Sequence, residues 1–228
     1  MKRLGVLMAT LLLAGPSLFA AACGGGNAAK GTPTEGATNT AAIQTPGPTG
    51  TPVTKAGGGG TLHYANDEAG FAFDYPGDWQ QPNVPITRQA EMGTENLIVQ
   101  VALTNDTEDI AIMDGVMVEA ARLGVDVPPD RLREALLSYD ALMAQLAGQM
   151  GGAVTDNGWT ELGGLTARRY SVTFTMNGQP VMSEFLYTIS GDKQIDVNCQ
   201  AKSAHFENIR AGCQVVYDSF NFISSANS

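Results

Sequence analysis

From Gly24 to Gly60 the chain offers almost nothing to bury: one isoleucine, one valine and no aromatic ring. Such a stretch cannot offset the entropy of ordering its backbone. Any hydrophobic core must therefore come from residues 61–228. Three prolines in Gln44-Thr45-Pro46-Gly47-Pro48-Thr49-Gly50-Thr51-Pro52 block regular structure, and Gly57-Gly58-Gly59-Gly60 closes the stretch as a joint. A flexible chain of this length spans roughly 30–40 Å root-mean-square. It reads as a tether that lifts a domain clear of lipid headgroups or through part of a cell wall. Its threonines are candidates for O-glycosylation.

Ahead of the tether, Lys2 and Arg3 precede an apolar run from Leu4 to Ala14, followed by Gly15-Pro16 and small residues. This is the layout of a signal peptide over residues 1–22. The run is shorter than the roughly 20 apolar residues a membrane span needs. Phe19-Ala20-Ala21-Ala22-Cys23-Gly24-Gly25-Gly26 resembles a bacterial lipobox, in which the cysteine becomes the lipidated N-terminus. Leucine is usual where Ala20 stands. Ordinary cleavage after Ala20-Ala21-Ala22, releasing a free protein, therefore stays open beside lipidation of Cys23.

The remainder, 61–228, suits one domain with a full core, and every aromatic residue except Phe19 lies in it. Setting aside Lys2, Arg3, Lys30, Lys55 and Glu35 leaves 9 basic against 22 acidic residues, a formal charge near −13. Such a surface repels nucleic acid and anionic headgroups. Nucleic acid is excluded as a partner, and membrane contact is expected through the lipid on Cys23. The acidic surface favours solubility and, at most, cationic partners.

The domain opens with a hairpin pattern. Leu62 and Tyr64 alternate with polar neighbours, Asn66-Asp67-Glu68-Ala69-Gly70 turns, and Phe71, Phe73 and Tyr75 alternate again. Leu97, Val99, Val101 and Leu103 share one face of a strand, and Ile110 to Val118 reads as a central one. A helix is predicted from about Pro129 to Met150, with Leu132, Leu136, Tyr139, Met143, Leu146 and Met150 as its apolar stripe. Strands return with Tyr170, Val172, Phe174 and Met176, then a hairpin at Asn177-Gly178, where both turn positions want positive φ. Phe185, Tyr187 and Ile189 line the next strand, Ser190-Gly191-Asp192-Lys193 turns, and Ile195, Val197 and Cys199 line the last. Ser203 can cap a final helix with the stripe Phe206, Ile209, Cys213, Val216 or Tyr217, and Phe220.

That pattern is α+β: an antiparallel sheet of about six strands with helices packed on it. If Cys23 carries lipid, Cys199 and Cys213 remain, and an oxidising compartment would pair them. Cys199 shares a strand face with Ile195 and Val197, and Cys213 a helix face with Phe206 and Ile209. Packing that helix back on the sheet points both sulfurs into one interface and predicts a bridge. Two buried thiols are the alternative.

Gly70-Phe71-Ala72-Phe73-Asp74-Tyr75-Pro76-Gly77-Asp78-Trp79 resembles the GF-x-F-x-YP-x-x-W opening of the PsbP-like superfamily. Leu162-Gly163-Gly164-Leu165-Thr166-Ala167-Arg168-Arg169-Tyr170 is similar to that family's L-x-G-hydrophobic-x-A segment. Ile195-Asp196-Val197-Asn198-Cys199-Gln200-Ala201 and the helix closing on Asp218-Ser219-Phe220-Asn221-Phe222 are similar to its last strand and helix. The superfamily includes the extrinsic subunit of the plant oxygen-evolving complex, a eukaryotic Ran-binding import factor and many small bacterial lipoproteins. The resemblance implies an antiparallel sheet sandwiched by helices. It implies no single activity, and it carries no metal or partner residue onto this chain.

Chemistry-bearing motifs do not emerge. There is no Gly-x-Ser-x-Gly, no His-Glu-x-x-His, no Cys-x-x-Cys and no Gly-x-x-x-x-Gly-Lys. His63 and His205 read as solvated surface residues. Asn105-Asp106-Thr107-Glu108-Asp109 offers oxygen ligands for calcium but lacks the glycine and distal glutamate of a calcium loop. Asp67, Glu68, Asp74 and Asp78 surround the opening hairpin without a defined pattern. Arg168 and Arg169 should point to opposite faces of a strand. Trp79, next to a turn, should close one end of the core rather than anchor a partner. The expectation is a cofactor-free, non-enzymatic binding or scaffold module of the cell envelope, held outside the membrane and docking an envelope protein. Two rivals stand beside it: binding of a small ligand or metal ion between sheet and helix, and a carboxylate-dependent hydrolase.

Overall fold

The computed structural model describes residues 60–82, 96–105 and 112–223. The signal layout, Cys23, most of the tether and Asp106 to Asp109 lie outside the described residues.

Strands β1 (Thr61–Asn66) and β2 (Phe71–Pro76) form the predicted hairpin, in register from Thr61 opposite Pro76 to Asn66 opposite Phe71. Asn66 sets the turn: its Oδ1 accepts the Ala69 N–H at 2.8 Å. The short C-terminal strand β8 (Asn221–Phe222) adds to β2 and completes a three-stranded sheet. The second sheet holds β3 (Leu97–Thr104), β4 (Gly115–Val127), β5 (Ala153–Leu162), β6 (Leu165–Met176) and β7 (Gln179–Lys202). Its order is β3-β4-β7-β6-β5, antiparallel throughout.

β7 turns back on itself. A straight strand of its 24 residues would run about 80 Å. Instead the Ser203 N–H donates to Pro180 O at 2.9 Å, and the Ser183 hydroxyl bonds Asn198 Oδ1. The reversal falls at Ser190 to Lys193, where Gly191 takes φ +64°. One limb pairs with β6 through Tyr187, the other with β4 from Gly191 onward. The second sheet therefore presents six antiparallel limbs side by side. Asn177 and Gly178 both adopt positive φ, 51° and 77°, in the hairpin joining β6 to β7.

Three boundaries differ from the sequence reading. The predicted 129–150 helix is a 3-10 turn at Pro129–Arg131, then α1 (Leu132–Leu137), then α2 (Tyr139–Gln149). Ser138 interrupts it, because its hydroxyl donates to Ala135 O at 2.6 Å and competes with the backbone ladder. The strand expected over 110–118 starts only at Gly115 and continues to Val127; Ile110 and Ala111 are outside the described residues. Asp114 delays it by turning its carboxylate onto Lys202 N. The final helix, α3 (Phe206–Ser219), starts after His205 with no side-chain cap; Ser203 lies two residues further out, its N–H donating to Pro180 O.

The larger sheet buries both faces. On one, α3 and the β1–β2 hairpin cover Val99, Val116, Val118, Ile195 and Val197 with Phe71, Phe73, Ile209 and Val216. On the other, α1 and α2 lay Leu132, Leu136, Tyr139 and Met143 on Tyr170, Val172, Phe174 and Phe185. The predicted stripes thus face the sheet. Leu97 is the exception on β3, left half-buried by a register shift between it and Val99. No described helix is long and apolar enough to cross a membrane.

Cys199 and Cys213 form a disulfide with Cα atoms 5.9 Å apart, joining β7 to α3. Trp79 is buried at one end of the same core, as expected, and its ring lies over Gly212. A Cβ on Gly212 would stand 2.2 Å from Trp79 Cζ2. Gly212→Ala is expected to destabilise the domain by about 1–3 kcal/mol, seen as a lower urea midpoint.

Candidate binding surface

Arg168 sits on β6 opposite Trp159 of the edge strand β5 and opposite Tyr187 of β7. Its side chain points toward α2 and is almost fully buried. Its Nε donates to Asp140 Oδ1 at 2.9 Å and its Nη2 to Asp140 Oδ2 at 3.1 Å, a two-point grip on the first turn of α2. Nη2 also donates to Asn157 Oδ1 at 2.8 Å, and the Tyr170 hydroxyl donates to Asp140 Oδ1 at 2.7 Å. The Arg168 hydrogen bonds hold the Asp140 carboxyl below the usual carboxylate range. Burial first, and the bond to Asp140 second, push the Tyr170 phenol up.

Above this clamp lies Trp159, 38% exposed. Arg168 stacks over its ring at 4.9 Å and Arg133 at 5.0 Å. Arg169 turns away from the clamp, bonding Asp156 at 2.6 Å and lying 3.7 Å from Glu184. The expected split of the two arginines holds. Trp79 closes the core as expected, and Trp159 is the tryptophan left on the surface. Its one local signal was a tryptophan in an otherwise polar run, Asp156 to Glu161.

A second feature crosses the sheet beneath the helices. Gln100, Glu119 and Asp196 are register neighbours on β3, β4 and β7. Gln100 Nε2 donates to Glu119 Oε1. Tyr139 of α2 donates to Gln194 Oε1 at 2.6 Å, and its ring stacks on Tyr187 with centroids 4.9 Å apart. Asp196 Oδ1 and Gln100 Oε1 are sealed from solvent with no hydrogen-bond partner. Burial, and then the neighbouring Glu119 charge, push the Asp196 carboxyl well above the carboxylate range. Burial and the Asp196 charge push the Tyr187 phenol up in turn. Glu119 and Asp196 each interrupt an apolar run, Val118-Glu119-Ala120 and Ile195-Asp196-Val197, and in sequence such positions pass for solvent-facing ones.

The histidines behave differently from each other. His63 is exposed, with Nδ1 2.7 Å from the half-buried Asp74. His205 is also exposed, but its Nδ1 lies 2.7 Å from Oδ2 of Asp114, which is buried. This pair fastens the start of α3 to the segment before β4. Glu68 pairs with Arg122 at 3.6 Å, and Asp67 and Asp78 are exposed, so the carboxylates of the opening hairpin do not converge. Among the described residues no three His, Cys, Asp or Glu side chains are placed to share a metal ion.

No protein family and no curated protein matches the sequence. Solved structures do match. The chain is similar in structure to PsbP. Cyanobacterial PsbP (CyanoP) from Synechocystis sp. PCC 6803 is 14% identical, with a TM-score of 0.46 over 75% of this chain and 98% of that one. LpqN of Mycobacterium tuberculosis, described as involved in cell envelope biogenesis, is 15% identical, with a TM-score of 0.40 over 77% of this chain and 91% of that one. A protein of Bacteroides thetaiotaomicron is 12% identical, with a TM-score of 0.48 over 72% of this chain; the match spans 49% of that protein, about half its length.

Proposed function

We propose that this chain is a lipid-anchored, extracytoplasmic, non-enzymatic protein-binding or scaffold module of the cell envelope. The observation that carries the binding reading is Trp159, exposed on an edge strand with the guanidinium groups of Arg133 and Arg168 packed on its ring. Tryptophan and arginine dominate the energetics of protein interfaces. A side chain already immobilised loses little freedom on docking. Leu137 and Leu142 add exposed apolar surface on α1 and α2. Export is supported by the signal layout ending at Cys23 and by a disulfide that suits an oxidising compartment.

The test is a photo-crosslinking residue placed at 159 in living cells, with Arg131 as the control position. One discrete protein adduct from position 159 alone is expected, and Trp159→Ala should weaken capture of that partner at least tenfold. Adducts that do not differ between the two positions would contradict the reading.

A second reading, a small ligand seated between sheet and helix, is supported by the two sealed acceptors Asp196 Oδ1 and Gln100 Oε1. They call for a hydrogen-bond donor. A true ligand at 100 times its Kd adds about 2.7 kcal/mol in a thermal-shift series of small amines and divalent cations.

A further inference from the structure

We propose, resting on the docking role assigned to Trp159, that the outer edge of β5 takes up an extended segment of another protein as an added antiparallel strand. The larger sheet has two edges, β3 and β5. β3 is met on its outer side by Gln80, whose N–H donates to Thr104 O at 2.9 Å and whose carbonyl accepts the Thr104 N–H at 3.0 Å. Among the described residues β5 pairs with β6 alone, and no further backbone bond reaches Ala153 to Leu162. Natural edges are blunted by proline, lysine, a bulge or a covering segment. β5 contains neither proline nor lysine, and its bulge between Val154 and Asp156 leaves Asp156 to Leu162 in unbroken register.

Turn chemistry fixes which groups face outward. β5 and β6 join through Gly163 and Gly164, at φ 58° and 79°, a two-residue loop with both centres in the left-handed region. Such a turn closes on a hydrogen-bonded pair, here Leu162 and Leu165. Bonded and non-bonded pairs alternate along an antiparallel ladder. Asp156, Gly158 and Thr160 therefore bond β6, while Asn157, Trp159 and Glu161 turn their N–H and C=O groups away from it. The side chains of those same three residues share one face, the face on which Asn157 meets Arg168 and both arginines pack on the Trp159 ring.

A strand added there pairs in turn with Glu161, Trp159 and Asn157. The residue opposite Trp159 stands about 5.5 Å away between Cα atoms, with its side chain beside the indole. An apolar or aromatic side chain suits that place. Glu161 is exposed and has no cationic partner among the described residues, so lysine or arginine suits the place opposite it. A small polar residue suits the place opposite Asn157. Read from its N-terminus, the incoming segment is basic, any, apolar, any, polar. A basic segment also agrees with the acidic body, which carries 9 basic against 22 acidic residues over 61–228. The same charge, near −13 on each copy, disfavours a second copy of this chain as the occupant.

The test uses the full chain and a capped peptide, Ser-Lys-Ser-Phe-Ser-Thr-Ser, beside the same peptide N-methylated at its lysine, phenylalanine and threonine. In the free chain the amides of Asn157, Trp159 and Glu161 should exchange with deuterium at least tenfold faster than those of Gly158 and Thr160. Excess plain peptide should slow those three amides at least tenfold, and the methylated one should bind at least tenfold more weakly. Glutamate in place of the peptide lysine should weaken binding about twofold to fivefold, and Glu161→Lys should invert that order. In cells, Glu161→Pro removes an N–H that the ladder does not use, a place where an edge strand tolerates proline. It should lose the adduct formed from position 159, while Glu161→Gln keeps it. Absence of any discrete adduct in the wild type defeats the docking role of Trp159 itself. Amides left unprotected by excess peptide, equal binding of the two peptides, or an adduct that persists in Glu161→Pro overturns strand addition and leaves that role standing. Self-association that protects the same three amides overturns the choice of another protein as occupant. Should Glu161→Pro not fold, the peptide pair decides.

Discussion

Arg168→Met is expected to destabilise the domain by about 2–4 kcal/mol, read as a lower urea midpoint at unchanged slope. The methionine keeps much of the aliphatic volume and removes the guanidinium. Breaking a buried ion pair costs about 3–5 kcal/mol when the remaining charge is left dry. Here Asp140 is 40% exposed, so water takes over part of what Arg168 supplied, and the figure is discounted accordingly. Asn157 also loses a donor, and Trp159 loses one of its two cations. Arg131→Met, at an ion pair with Glu134 in which both side chains are more than half exposed, is the control and should stay within about 0.5 kcal/mol. The pH arm has a definite sign. Asp140 titrates low in the folded state because of Arg168. Its contribution is present above the ordinary carboxylate value and is lost as pH falls through the depressed one. The acid side of the wild-type profile should therefore be steeper than that of Arg168→Met. A variant as stable as the wild type, with the same acid limb, would show that the clamp does not fasten α2 to β6.

Removing the disulfide has an effect of similar size by a different route. Cys199 and Cys213 are separated by 14 positions, and closing a loop of that size restricts the unfolded chain by about 3 kcal/mol. Both sulfurs are fully buried between β7 and α3. The double substitution by alanine is expected to lower stability by about 3–4 kcal/mol once lost packing is included. Reductant should leave the folded wild type unchanged and act only when urea opens the core. Thiol titration under denaturing, non-reducing conditions should find neither cysteine free.

Much of this architecture is legible in local pattern. Asn177-Gly178 demanded two positive φ angles and has them. The stripe Leu132, Leu136, Tyr139 and Met143 faces the sheet despite the break at Ser138. The cysteines could be placed because strand and helix periodicity each assigned a face to one sulfur. What stayed hidden depends on register between distant strands. Glu119 meets Asp196, and Trp159 meets Arg168, only because β4 aligns with β7 and β5 with β6 in one particular way. Asp114 and His205 are 91 positions apart and meet where β4 and α3 begin. Periodicity reports which face a residue occupies, not which residue stands opposite it. A buried acid in a half-buried strand therefore looks like an ordinary solvent-facing one.

We propose that one chain combines a processed, acylated N-terminus with an oxidised folded body. Intact-mass measurement of the protein recovered from the membrane fraction, without reductant, tests this most directly. The expected species begins at Cys23, carries a diacyl- or triacylglyceryl increment, and is two hydrogens lighter for the Cys199–Cys213 bond. A species still beginning at Met1, unacylated and fully reduced, would contradict it.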